Sequence, residues 1–264
     1  MITSTSNARV KELVQLQKKS KVRNEQGVFL VEGIRMYQEI PQEQLVKVYV
    51  SETFADRHWE EISSIRDKRK LEYLSDHVFQ YVSDTKTPQG ILCVVRQSSY
   101  RLEELLEAED AHLLVLDNLQ DPGNLGTILR TAEGAGVTGV IISRESVDIY
   151  NPKVIRSTMG SIYRVPFVYA EDLKEVLAKL QEHGICTYAA HLDGKNSYDK
   201  EDYTKKTAFL IGNEGNGLRK EIADLADIWI RIPMQGQVES LNAAIATSVL
   251  MFEAARQRRN QKQS

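Results

Sequence analysis

The sequence predicts an α/β protein in two parts: a small α/β domain, then a larger one built on a mainly parallel sheet. Three observations carry this prediction. Short apolar runs alternate with helix-patterned stretches along the whole chain. In the second half, LLVLD, GVIIS, GICTYAA, TAFLIG and IWIRIP are apolar nearly throughout, as strands covered on both faces are. Between the halves the composition turns polar and acidic over QSSYRLEELLEAEDAH, residues 97 to 112. The expected division is therefore residues 1–97, a linker over 98–111, and a second domain over 112–264. With 264 residues, 42% of them hydrophobic, the chain has ample material for a buried core.

The elements follow in order. A helix is expected from about Asn7 to Lys18, then a strand in GVFLVEG, a helix in IRMYQEI and a strand in VKVYVS. A helix near 56 to 66, a strand LEYLS, a helix HVFQYV and a strand QGILCVV complete the first domain. The linker turns helical before LLVLD. In the second domain helices alternate with the five apolar strands, and the longest runs through IATSVLMFEAARQ, with Ile245, Val249 and Phe252 expected in the core by their helical spacing.

Composition excludes several classes. Cys93 and Cys186 sit inside apolar strand-like runs and read as buried side chains, not as a disulfide framework. The histidines, at 58, 77, 112, 183 and 191, lack ligand spacing, so no metal is expected. No apolar run approaches the roughly 20 residues that span a bilayer, and the first residues lack a signal-peptide core; the expected compartment is the cytoplasm, with no membrane partner. Net charge is −3, yet Lys18, Lys19, Lys21, Arg23 and Arg35 crowd the first 35 residues. That local patch is where phosphate contact would occur, the alternative being a solvated helix face.

Three loops carry the chemistry. DNLQDPGNLGTILRTAEGAG, FLIGNEGNGL and IPMQGQVESLNAA each pass from strand through a polar loop into a helix, where open α/β sheets bind ligands. In the first, Pro122-Gly123 turns the chain and Asn124 stands where a helix cap is expected. Arg130 lies six positions further on, a long cation within an apolar-patterned helix. In the second, Gly212, Gly215 and Gly217 let the backbone turn tightly and approach a ligand closely, a plain turn being the alternative for Gly215 and Gly217. Asn213 belongs to the same turn, and Glu214 is expected at the site, to accept hydrogen bonds or hold Arg130 in register, because the loop follows a buried strand directly. The order G-x-x-G-x-G disfavours a dinucleotide fingerprint. In the third, Ser240 is the candidate helix cap. Lys153 and Arg156, in NPKVIRSTMG, are further candidates for phosphate contact, a plain surface position being the alternative.

Taken together, Asn124-x-Gly126-x-x-x-Arg130-Thr131-Ala132, Gly212-Asn213-Glu214-Gly215-x-Gly217-Leu218, and Ile232-Pro233 followed by Ser240-Leu241-Asn242 resemble the SpoU/TrmH branch of the SPOUT RNA methyltransferases. Glu32-Gly33 and Pro88-Gln89-Gly90, with the order of elements around them, resemble the L30e-like substrate-binding domain that precedes many of these enzymes. The resemblance implies methyl transfer from S-adenosylmethionine to an RNA ribose 2'-hydroxyl by a homodimer, and a C-terminal trefoil knot that local pattern does not reveal. It implies Asn124, Arg130, Glu214, Ser240 and Asn242 as catalytic groups, and Gly212, Asn213, Gly217, Ile232 and Leu241 around the cofactor. It assigns Arg130 to the 2'-hydroxyl proton, whereas a guanidinium pKa of roughly 12 or more argues for a clamp on phosphate and developing oxyanion. The ribosomal-protein character of the first domain favours ribosomal RNA. The alternatives are transfer RNA, a base as methyl acceptor, or a non-catalytic RNA-binding protein.

Overall fold

Asn7 opens the first helix by accepting the Arg9 N–H on its side chain, and the chain then buries Val10, Leu13 and Leu16 along one stripe of α1 (Ala8–Lys18). The computed structural model describes residues 1–63, 65 and 67–261. Lys19 is extended, which breaks the basic segment and starts a second helix, α2 (Ser20–Gln26), closed by Gly27 in the left-handed region. Then come β1 (Val28–Glu32), α3 (Ile34–Gln38), β2 (Leu45–Ser51), α4 (Glu52–Arg57), α5 (Trp59–Ser63), β3 (Leu71–Leu74), α6 (Asp76–Val82) and β4 (Ile91–Arg96). The helix expected near 56 to 66 is two short ones, because His58 leaves helical geometry; positions 64 and 66 of that expectation lie outside the described residues. The four strands form one sheet in the order β1-β4-β2-β3, antiparallel except for the β2–β3 pair.

The second part of the chain runs α7 (Leu102–Leu106), β5 (His112–Leu116), α8 (Pro122–Ala135), β6 (Gly139–Ser143), α9 (Pro152–Thr158), β7 (Phe167–Ala170), α10 (Leu173–Glu182), β8 (Cys186–Ala190), β9 (Asn196–Ser197), β10 (Thr207–Ile211), α11 (Lys220–Ala223), β11 (Ile228–Arg231) and α12 (Ala243–Gln261). Its seven strands make one sheet, β7-β6-β5-β10-β8-β11-β9, in which every adjacent pair is parallel. The parallel sheet expected from the unbroken apolar runs is thus present, and β5, β6 and β10 are buried along their full length. Two strands escaped the sequence reading, β7 and the two-residue β9, because neither has a long apolar run.

The chain divides into two compact units, Met1–Ser98 with Asp148–Tyr163, and Ser99–Val147 with Arg164–Ser264. The segment around α9 belongs with the first unit for physical reasons. The Tyr150 ring lies 4.6 Å from that of Phe29, its hydroxyl accepts the Ser98 N–H at 3.0 Å, and Asp148 meets the Arg23 guanidinium.

Helix α12 packs on α8, but on a different stripe from the expected one. Ala244, Thr247, Leu250, Met251 and Ala254 are buried, whereas Ile245 and Phe252 are 51% and 50% exposed and Val249 is half-buried. Ala244, Thr247 and Ala254 share that inner stripe with the larger Leu250 and Met251, while Ile245 stays largely open and Phe252, half exposed, rests its ring near Gly134 of α8. Among the described residues no helix is long and apolar enough to cross a membrane.

Candidate active site

Because β5, β10, β8 and β11 run parallel side by side, the loops that leave their C-terminal ends emerge along one edge of the sheet. Asp121, not Asn124, caps α8: its carboxylate accepts the Asn124 N–H at 2.9 Å, and Pro122 takes the first helical position, where no donor is needed. The expected capping role of Asn124 is therefore corrected, and its side chain is released for other work. Asn124 Nδ2 donates to Glu214 Oε1 at 3.0 Å, and its Oδ1 accepts Asn242 Nδ2 at 3.0 Å.

Glu214 is the hub. Its two oxygens also accept the backbone N–H groups of Gln120 at 3.0 Å and Asp121 at 2.8 Å. Partial burial opposes its charge, but the hydrogen bonds from Gln120, Asn124 and Asp121 outweigh burial and hold the carboxyl below the usual carboxylate range. Glu214 therefore secures the first loop and Asn124; of the two roles expected of it, accepting hydrogen bonds is the one present, and among the described residues no bond joins it to Arg130.

The loop that carries Glu214 is self-contained. Asn213 and Gly217 exchange backbone hydrogen bonds at 3.0 and 2.9 Å, and Asn213 Oδ1 accepts from Gly215 and Asn216. Asn213 Nδ2 reaches across to the Asn118 carbonyl at 2.8 Å. A side chain at Gly212 would put its Cβ 2.1 Å from the Gly217 carbonyl carbon and the Leu218 nitrogen, so only glycine fits beneath the turn. In the third loop, Asn242 Oδ1 accepts the Ala244 and Ile245 N–H groups at 2.9 and 3.3 Å, so Asn242 rather than Ser240 caps α12. Ser240 is exposed and makes no hydrogen bond among the described residues.

One ion pair was missed by sequence reasoning. Asp117, fully buried at the end of β5, accepts the Arg219 backbone N–H at 3.1 Å and its Nε at 2.8 Å, and Nη2 lies 2.6 Å away. The pairing raises the Arg219 pKa above its ordinary value. It ties the first loop to the second, and Asn118, next along the chain and left-handed at φ 56°, offers its carbonyl to Asn213 Nδ2. The available signal was a carboxylate followed by an Asn at a strand end, with an arginine directly after the glycine-rich loop.

Arg130 stands on the exposed face of α8 and makes no hydrogen bond or ion pair among the described residues. Ile232 and Leu241 are half-buried in the loops flanking Ser240. A sheet edge that offers Gly212 and Gly217, irregular backbone and these two apolar side chains suits a ligand that is part flat ring, part short chain, so the residues fit S-adenosylmethionine.

The basic candidates separate into two kinds. Lys18, Lys19, Lys21, Arg35 and Lys153 are exposed, and Arg156 pairs with Asp84 at 2.6 Å. Arg23 is a correction: it is 3% exposed, and its guanidinium donates to Asp148 and to the Leu16 and Gln17 carbonyls at 2.7 and 3.1 Å. A charge so enclosed is not available to a phosphate.

Residues 111–252 match the SpoU rRNA Methylase family, over more than half of the chain. The chain belongs to this family. Residues 7–93 match the MRM3-like substrate binding domain, as the resemblance of the first half led us to expect. Among similar proteins, an uncharacterized tRNA/rRNA methyltransferase of Synechocystis sp. is 33% identical, covering 97% of this chain and 93% of its own. The 23S rRNA (guanosine(2553)-2'-O)-methyltransferase RlmP of Bacillus subtilis is 31% identical, covering 95% and 97%. The AdoMet-bound rRNA methyltransferase of Sinorhizobium meliloti superposes with a TM-score of 0.84 at 30% identity, covering 97% of each chain.

Proposed function

We propose that this chain transfers a methyl group from S-adenosylmethionine to a ribose 2'-hydroxyl of ribosomal RNA. The observation that carries the reading is the relay from Asn242 through Asn124 to Glu214, which joins all three sequence motifs into one polar site at the sheet edge. S-adenosylmethionine, held by Gly212, Asn213, Gly217, Ile232 and Leu241, supplies the electrophilic methyl group. The chain's own groups align and stabilise. Arg130, exposed and without a partner among the described residues, clamps the phosphate beside the target ribose and offsets charge on its oxygen, while Ser240 and Asn242 position the sugar. Lys18, Lys19, Lys21, Arg35 and Lys153 hold the RNA backbone, and the first unit selects the RNA.

The reading includes a cytoplasmic homodimer and threading of segments 212–217 and 233–241 into a trefoil. The outward apolar residues Ile245 and Phe252 on α12 support self-association. The relative from Bacillus subtilis, with its ribosomal RNA substrate, favours that acceptor over transfer RNA. The test is calorimetry with S-adenosylmethionine, S-adenosylhomocysteine and NAD, joined to 2'-O-methyl mapping of ribosomal and transfer RNA from cells with and without the protein. Binding of the first two ligands and loss of one ribosomal methyl mark are expected. NAD binding, or a lost mark in transfer RNA alone, contradicts the reading.

A further inference from the structure

Within the first unit, a cavity of about 380 Å³ opens where the end of β2 meets the start of β4. That volume lies in the range of roughly 300–1,000 Å³ typical of ligand pockets. Its floor is fixed by Gly90, at φ 94°, where a Cβ would fall 2.6 Å from Phe54 Cβ and 2.7 Å from Ser51 Oγ. Its aromatic wall is a stack: the His58 and Phe54 rings lie 4.3 Å apart at 19°, with Phe54 buried and His58 partly open.

The remaining wall is polar. Asp76 accepts the Thr53 N–H at 3.1 Å and its hydroxyl at 2.6 Å, which leaves a carboxylate edge fixed in place. Gln89 Oε1 accepts the Ile34 N–H at 3.0 Å, and the side chains of Gln80 and Arg57 make no hydrogen bond among the described residues. A flat face beside amide groups that both donate and accept is the chemistry that reads an unstacked base by stacking and by its edge. One guanidinium facing one carboxylate is poor for a polyphosphate, and among the described residues no acidic or histidine cluster could hold a metal ion.

We infer that this cavity binds one unpaired base of the RNA substrate, stacked on His58 and hydrogen-bonded by Gln80 and Gln89, with none of the methyl-transfer loops among its walls. The inference rests on the reading that the chain acts on RNA, and it names how the first unit selects a strand. The site requires a nucleotide free of its helix, so it favours loops and single strands over duplex.

The full chain is titrated with single-stranded 12-mers of each nucleotide, with the same strands annealed to their complements, and with nucleoside monophosphates. Wild type is expected to prefer at least one single strand to its duplex. His58→Ala and Gln80→Ala should each lower that affinity about fivefold or more, with duplex and S-adenosylmethionine affinities unchanged. His58→Phe, which keeps a flat ring, should restore the single-strand affinity. Unchanged single-strand affinity in both alanine variants overturns the inference while leaving methyl transfer standing. A wild-type chain that binds no RNA at all overturns both readings. Monophosphates that bind at His58 while RNA does not would make this a small-molecule site and also overturn it.

Discussion

Asn242 donates its side-chain amide to Asn124 Oδ1 at 3.0 Å while its own Oδ1 caps α12. One residue thus fixes a helix start and orients the amide that Asn124 presents to Glu214. Asn242→Asp keeps the cap but sets a carboxylate oxygen against Asn124 Oδ1. We expect turnover to fall by about tenfold or more, and the melting temperature to drop less than in Asn242→Ala, which loses cap and relay together at about 0.5–2 kcal/mol for the cap. Equal melting losses in the two variants would show that the cap contributes little.

Gly212→Ala places a methyl group 2.1 Å from backbone atoms of the 213–217 turn. Backbone cannot yield as a flexible side chain does, so the turn must move and carry Glu214 away from Asn124. The expected result is a destabilisation of about 1–3 kcal/mol and a large loss of S-adenosylmethionine affinity by calorimetry. Wild-type affinity would refute the role given to this turn.

His112 is buried beneath Phe209, with neither ring nitrogen in a well-formed hydrogen bond among the described residues. Burial, reinforced by the nearby Arg258, lowers its pKa from 6.5 to about 3. The unfolded chain takes up a proton that the folded chain refuses between these values, so stability is full above pH 6.5 and is lost as pH falls toward 3. At pH 5 the loss is about 2 kcal/mol. His112→Leu should flatten the stability profile between pH 5 and 7 by that amount in urea titrations; an unaltered slope would assign the acid sensitivity elsewhere.

Arg23 and the lysines beside it should part company. Arg23→Ala leaves Asp148 without its partner and is expected to cost about 3–5 kcal/mol of stability. Reversing Lys18, Lys19 and Lys21 should change stability little but flatten the salt dependence of RNA binding, by about one unit of log–log slope for each phosphate that is no longer neutralised. A salt slope unaffected by the three reversals would move the RNA to another surface.

Arg130→Lys keeps the charge and removes the planar fork. For a clamp, lysine retains part of the activity and Arg130→Ala loses on the order of a hundredfold in single-turnover rate. For a proton acceptor, lysine, with its reference pKa of about 10.4, shifts the rising limb of the pH–rate profile downward. Near-wild-type turnover in Arg130→Ala would falsify both roles.

The sequence by itself determined the α/β class, the parallel sheet, the three motif loops and the family. These follow from local regularities: an unbroken apolar run reads as a doubly covered strand wherever it lies, and the motif spacings are carried within single segments. Only the tertiary structure decided which partner each polar group finds. Asn124 and Asp121 are both good caps by local chemistry, and Glu214, some ninety residues away, settles which side chain is free. Arg23 looks like its basic neighbours until Asp148 returns from 125 residues on to enclose it. Asp117 and Arg219 are 102 residues apart, and Ile245 and Phe252 share the helical spacing of core residues yet stay half exposed, because the stripe that α12 buries runs instead through Ala244, Thr247, Leu250, Met251 and Ala254. A charge, an amide or an apolar stripe has several satisfactory local solutions, and the long-range return of the chain selects one.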